Sequence, residues 1–144
     1  MIKIICVGKL KEAYLKELVN DYLKRVNKYH KVEIIELIDS TIEREAELIE
    51  KHINTKDYII TLEIEGNNLT SVELSKKIDN ALMNYGNITF IIGGSNGISE
   101  KIKGKSNYKL SFGSLTFPHG LFRGILLEQI YRSFKILNNE SYHK

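Results

Sequence analysis

The chain has 144 residues, 42% of them hydrophobic and 27% charged, with a formal net charge of +3, a pI of about 8.8, one proline and one cysteine. That length fits one domain spanning residues 1–144 and buries roughly 68–70% of the unfolded surface, enough for a core without covalent staples. The lone Cys6 excludes an intrachain disulfide and a cysteine-based zinc cluster, no stretch has the ~18 apolar residues of a membrane span, and the mild basic excess permits a phosphate-bearing partner without demanding one.

In chain order, Ile2 to Val7 is an apolar β-rich run closed by Gly8, a buried strand that starts too early to be a secretion signal, so the expected location is the cytoplasm. Residues 10–29 place Leu10, Tyr14, Leu15, Leu18, Tyr22, Val26 and Tyr29 at helical spacing. Val32 to Ile38 predicts a second strand. Ser40 and Thr41, followed by Glu43 and Glu45, predict a mostly polar surface helix running to about Ile53. Tyr58 to Ile64 predicts a third strand, ended by Glu65-Gly66-Asn67-Asn68. Thr70 or Ser71 then caps a helix that runs to Tyr85 and breaks at Gly86. Ile88 to Ile92 is continuous in apolar β-formers, as a central strand would be. A short helix over 98–103, a strand over 108–112 and a long helix over 119–137 complete the chain.

Strands alternating with helices predict an α/β fold, a mainly parallel sheet with helices on both faces. Ligands of such sheets gather at the carboxyl ends of strands. The informative loops follow Ile64, Ile92 and Phe112. Gly93-Gly94-Ser95-Asn96-Gly97 lacks the lysine of a phosphate loop and the spacing of a dinucleotide fingerprint. It suits a ligand gripped by backbone groups, such as an adenosine without phosphates, and equally a tight turn with no ligand. Gly113 to Pro118 carries Leu115 and Phe117 as a possible slot for a flat base. It also serves as an ordinary helix entry, with Pro118 in the first turn and Ser114 or Thr116 as cap. The last helix is apolar on more than one side, which suits either a homodimer interface or dense packing on the sheet. Glu128 and Arg132 form a helix-supporting i,i+4 pair. No histidine spacing suits a metal.

These pieces together resemble the RlmH family, the YbeA-type members of the SPOUT class of 23S rRNA methyltransferases. The matching segments are Ile5-Cys6-Val7-Gly8-Lys9, Thr61 to Gly66, Phe90 to Gly97, Leu115 to His119, Leu127 to Arg132 and the terminal Tyr142-His143-Lys144. The resemblance implies a SPOUT-type trefoil-knotted α/β domain, S-adenosylmethionine as methyl donor, a homodimer, and methylation of N3 of a pseudouridine in 23S ribosomal RNA on the assembled ribosome. It places donor contacts at Leu62, Gly94, Gly113, Ser114, Leu115, Thr116, Phe117 and Pro118. It places Arg132, Tyr142, His143 and Lys144 on the substrate side. No metal and no membrane are implied. The chain departs from many relatives at Gly120 and Gly124, where an altered dimer helix is the expectation.

On that footing the expected chemistry is in-line attack by N3 on the donor methyl, helped mainly by positioning. His143 is the expected acceptor of the N3 proton, because an imidazole titrates close to neutral pH. Arg132 would hold a phosphate or the developing uracil oxyanion, Tyr142 would stack or orient the base, and Lys144 would add positive charge. A non-catalytic RNA-binding module and a nucleotide-using small-molecule enzyme are the competing classes. The first would lack donor affinity, and the second lacks its fingerprints.

Overall fold

The computed structural model describes all 144 residues, Met1–Lys144. Strands β1 (Ile2–Val7), β2 (Val32–Leu37), β3 (Tyr58–Asn68), β4 (Ile88–Ile92) and β5 (Tyr108–Ser111) form one sheet in the order β2-β1-β4-β3-β5. Every pairing in it is parallel. Helices α1 (Ala13–Asn27), α2 (Ile42–Glu50), α3 (Ser71–Tyr85), α4 (Glu100–Lys103) and α5 (His119–Leu137) connect the strands or close the chain. The middle strand, β4, is buried at all five positions, which its unbroken apolar run predicts.

The side chains divide by strand alternation into two cores. Ile2, Ile4, Cys6, Ile88 and Phe90 meet α1, α3 and α5 on one face. Ile5, Val7, Ile59 and Ile91 meet Ala46 and Ile49 of α2 and Ile102 of α4 on the other. So α2, expected to be a surface helix, covers the sheet with its narrow apolar side, and it ends at Glu50 rather than near Ile53. Helix α5 lies between α1 and α3 against the sheet. Part of its apolar breadth is used inside one chain, where Leu126, Leu127, Ile130, Tyr131 and Phe134 are buried, while Leu121, Phe122, Ile125, Ile136 and Leu137 stay half-exposed. Gly120 and Gly124 also face α1 and not an outer surface. A Cβ on Gly120 would stand 2.6 Å from Leu10 Cδ2, and one on Gly124 2.7 Å from Leu18 Cδ2. They set how closely α1 and α5 approach.

Three boundaries differ from the sequence expectations for local reasons. Helix α1 begins at Ala13, which leaves Tyr14 exposed. Strand β3 does not stop at Glu65-Gly66. It bulges between Leu62 and Asn67 and then pairs with β5 a second time. Gly66 allows this, since a Cβ there would meet the Lys109 carbonyl oxygen at 2.8 Å. Pro118 is the N-cap residue of α5, with extended ψ, and no side chain caps this helix. By contrast α3 has the full reciprocal box, Thr70 accepting from the Glu73 N–H and Glu73 from the Thr70 N–H.

The start of α5 is held by a buried cation. Arg123, 2% exposed, pairs through Nη1 with Glu36 on β2. Its Nη2 donates to the Gly8 carbonyl at the end of β1, 3.1 Å away, and Glu36 also accepts from the Leu10 N–H. Glu36→Ala would strand this guanidinium without its counter-charge, so a loss of about 3 kcal/mol or more is expected. Denaturant midpoints at constant m-value measure it. Gly66→Ala is expected to cost roughly 1–3 kcal/mol by the same assay, because backbone, not a flexible side chain, blocks the new methyl.

Candidate functional site

Three loops at the carboxyl ends of β3, β4 and β5 enclose a cavity of about 440 Å³. The β3 bulge supplies Leu62, Glu63, Ile64 and Glu65, the β4–α4 turn supplies Gly93, Gly94 and Gly97, and the β5–α5 loop supplies Phe112, Gly113, Leu115, Thr116 and Phe117. The floor and far wall are apolar, through Ile92, Leu110 and Phe122. The aromatic rings form a run, with Phe122 5.2 Å from Phe112 and 5.9 Å from Phe117 between centroids. Leu115 is 74% exposed at the rim.

The β4–α4 turn closes on itself. The Gly97 N–H donates to the Gly94 carbonyl at 2.9 Å, and Gly97 sits at φ 75°. A Cβ at Gly93 would stand 2.8 Å from the Gly97 backbone. The glycines are thus required by the turn itself, and the turn then presents backbone at the cavity wall. Also in the lining, Glu63 accepts from the Thr61 hydroxyl at 2.6 Å and lies 3.7 Å from Lys103 Nζ. The Ser111 hydroxyl bonds the Ile64 carbonyl at 2.8 Å and ties the bulge to β5. Of the expected donor contacts, Leu62, Gly94, Gly113, Leu115, Thr116 and Phe117 line this cavity. Ser114 and Pro118 belong to the same loop but are exposed and off the wall. Glu63, Glu65 and Phe122 are wall residues that sequence reasoning missed. Glu63 and Thr61 are two apart on a strand and so share a face, a faint signal.

The residues expected on the substrate side assemble elsewhere. Arg132 grips Glu128 with Nε 3.1 Å from Oε1 and Nη2 3.2 Å from Oε2. Its guanidinium lies 4.8 Å from the Tyr142 ring centroid, and its Nη1 is 3.1 Å from Nδ1 of His143. A guanidinium only donates, so Nδ1 accepts and the neutral ring carries its proton on Nε2. Tyr142 stands edge-on to Tyr131, centroids 4.9 Å apart, and donates its hydroxyl to Glu128 at 3.3 Å. Lys144 is exposed and makes no ion pair. Glu128 raises the Arg132 pKa by accepting its hydrogen bonds. Burial, aided by the Tyr22 hydroxyl and the Glu128 carboxylate, pushes the Tyr142 phenol up to about 12.

The two groups do not meet within one protomer. Pro118 and Arg132 sit fourteen positions apart along α5, roughly 20 Å at the helical rise. One end of the helix carries the cavity loop, the other the tail cluster. Sequence proximity in the last quarter of the chain therefore hides a wide separation in space.

Comparison with known proteins gives consistent matches. A family model described as "Predicted SPOUT methyltransferase" matches residues 1–143. A Methanococcus maripaludis protein is 50% identical over 99% of both chains. Ribosomal RNA large subunit methyltransferase H 1 of Clostridium perfringens is 45% identical, again over 99% of both. Among solved structures, a tRNA (m1G37) methyltransferase from Aquifex aeolicus aligns with TM-score 0.53 and 14% identity, covering 91% of this chain and 69% of that one. A probable methylase family protein from Haemophilus influenzae also aligns at 0.53, with 10% identity, covering 96% of this chain and 66% of that one. At these identities the structural matches speak to the fold alone.

The Tyr142 environment has a pH signature. A phenol whose pKa is raised on folding favours the folded state while it is protonated. That contribution is complete below about pH 10 and lost as pH rises towards about 12. Stability of the protein should fall over this window, and Tyr142→Phe should flatten the fall. Urea midpoints of both forms at intervals from pH 9 upward measure it, and identical slopes would count against the raised phenol pKa of half-buried Tyr142.

Proposed function

The chain belongs to the SPOUT methyltransferase family, and from that premise we propose that it is an S-adenosylmethionine-dependent methyltransferase of large-subunit ribosomal RNA, acting in the cytoplasm on N3 of a pseudouridine in 23S rRNA within the assembled ribosome. The observation that carries this reading is the convergence of three carboxyl-end loops on one cavity with an apolar slot, backbone-rich walls and carboxylates. That set fits the donor's chemistry. Leu62, Leu115 and Phe117 offer flat apolar surface to an adenine. Backbone groups of Gly94 and Gly113 suit its polar edge, and Glu63 and Glu65 suit hydroxyls and positive charge. When bound, S-adenosylmethionine supplies an electrophilic methyl carbon.

The tail group supplies the substrate side. Tyr142 and Arg132 present an aromatic face and a fixed cation, which suit a splayed base and its phosphate. His143 takes the N3 proton. To do so it must first leave Arg132, because its Nδ1 lone pair is occupied and its Nε2 carries a proton. Arg132, once turned from His143, faces the developing oxyanion, and Lys144 adds charge. Since α5 separates this group from the cavity of its own chain, a homodimer completes each site with the tail of the partner copy. Exposed Ile64 and Leu115 and half-buried Leu121 and Ile125 surround the cavity loop and give such a copy apolar surface to cover.

The test is methyl incorporation from labelled S-adenosylmethionine into 70S ribosomes, 50S subunits and naked 23S rRNA. Incorporation at one pseudouridine of the ribosomal substrate is expected, and none in any substrate would overturn the reading. His143→Ala should lower kcat roughly 10²-fold or more with donor affinity by calorimetry unchanged. A mixed dimer of Gly113→Val and His143→Ala chains holds one intact site, so about half the wild-type rate should return. Recovery of nothing would mean that each chain builds its own site.

A further inference from the structure

We infer that the exposed carboxyl-terminal end of α1, with Lys24, Lys28 and Lys31, is a docking surface for the phosphodiester backbone of the RNA strand that leads into the tail group; this rests on the methyltransferase reading above. The charge at this end of the molecule is uneven. Lys24, Arg25, Lys28, Lys31, Arg132 and Lys135 stand against three carboxylates, Asp21, Glu128 and Glu140, an excess equal to the +3 of the whole chain. Each carboxylate is taken. Asp21 pairs with Arg25 at 3.2 Å, Glu128 with Arg132 at 3.1 Å and Glu140 with Lys135 at 3.2 Å. Lys24, Lys28 and Lys31 are exposed and make no ion pair. They oppose the negative end of the α1 dipole, but three free cations exceed what one exposed helix end requires.

The location ties this patch to the tail. Arg25 lies 5.6 Å from the Tyr131 centroid, and Tyr131 also meets Tyr142, centroids 4.9 Å apart. Tyr29 donates its hydroxyl to Glu140 at 2.7 Å, which joins the end of α1 to the chain just before the tail. Beside the free lysines is a stack of rings. Tyr29 lies parallel to Phe134, and His30 lies nearly parallel to the same ring, 14° off, with centroids 6.0 Å apart. His30 is half-exposed, so a flat polar ring continues the stack towards solvent. Free cations interleaved with a stacking ring match a single-stranded nucleic acid. A membrane surface would ask for exposed aliphatic side chains instead, and an acidic peptide has no use for the stack. The patch thus adds strand affinity outside the transfer site.

The experiment uses full-length Lys24→Gln/Lys28→Gln/Lys31→Gln protein and 70S ribosomes, with co-sedimentation and initial rates measured across a salt series. Ribosome Kd and KM should rise about tenfold or more at low salt, with kcat within twofold and the calorimetric Kd for S-adenosylmethionine unchanged. The slope of log Kd against log salt should shrink by roughly 0.7 per lost phosphate contact. Restoring the charge with Arg at the three positions should restore both values. His30→Ala should weaken ribosome binding several-fold without altering the slope. Wild-type affinity and slope in the triple variant would overturn the proposal, as would equal weakening by the Gln and Arg variants. Co-sedimentation reads these outcomes even for a protein that transfers no methyl group, so failure of this surface and failure of the enzymatic reading are told apart.

Discussion

A single buried guanidinium couples the functional end of this molecule to its sheet. Arg123 comes from the first turns of α5, and its partners are the carbonyl that ends β1 and the carboxylate of β2. A charge at 2% exposure is stable only with its counter-charge and acceptors in place, so α5 has little freedom to slide or rotate at this end. The loop Gly113–Pro118 leads directly into α5, and the cavity takes its third wall from that loop. The geometry of the cavity therefore depends on a contact outside it. The same charge environment bears on Cys6, whose thiol burial pushes up to about 12, leaving it an inert member of the core.

Helix α5 is the axis of the functional architecture. It is buried by α1, α3 and the sheet, which gives it the rigidity that precise sites need. Its two ends hold different chemistry, a loop-built apolar cavity at one and a cation–aromatic–imidazole cluster at the other. A helix of 19 residues holds its ends apart by its own length. Bringing the two chemistries together requires a second copy or movement of the tail, and the tail is held by Arg132, Glu128 and Tyr131 in the isolated chain. The contacts that hold it are a hydrogen bond from Arg132 to His143, one from the Tyr142 hydroxyl to Glu128, the Arg132 guanidinium over the Tyr142 ring and the edge of that ring on Tyr131.

Much of the fold was legible in the residues. Strand and helix order, the central place of β4, the capped start of α3 and the gathering of three loops all follow from periodicity, capping chemistry and the habit of parallel sheets. Three features were not. The β3 bulge hides behind Glu65-Gly66-Asn67-Asn68, which looks like a strand terminator until the Lys109 backbone is placed against Gly66. The breadth of α5 admitted both a dimer face and intramolecular packing, and only the position of α1 and α3 shows which of its apolar residues are buried within the chain and which, such as Leu121 and Ile125, stay half-exposed. Nothing in the sequence marks Arg123, because burial of a cation depends on partners 87 and 115 residues away.

What the chain determines by itself is local: the alternating elements, the turn that Gly93, Gly94 and Gly97 permit, and the set of residues that carries the family resemblance. What tertiary structure alone decides is distance. Leu62, Gly94 and Phe117, far apart in sequence, converge on one cavity, because parallel strands deliver their carboxyl ends to one edge. Gly113–Pro118 and Tyr142–Lys144, neighbours in the last quarter of the sequence, are held apart, because a rigid helix lies between them. Sequence order encodes connectivity, and neither convergence nor separation can be read from it until the sheet and α5 are packed.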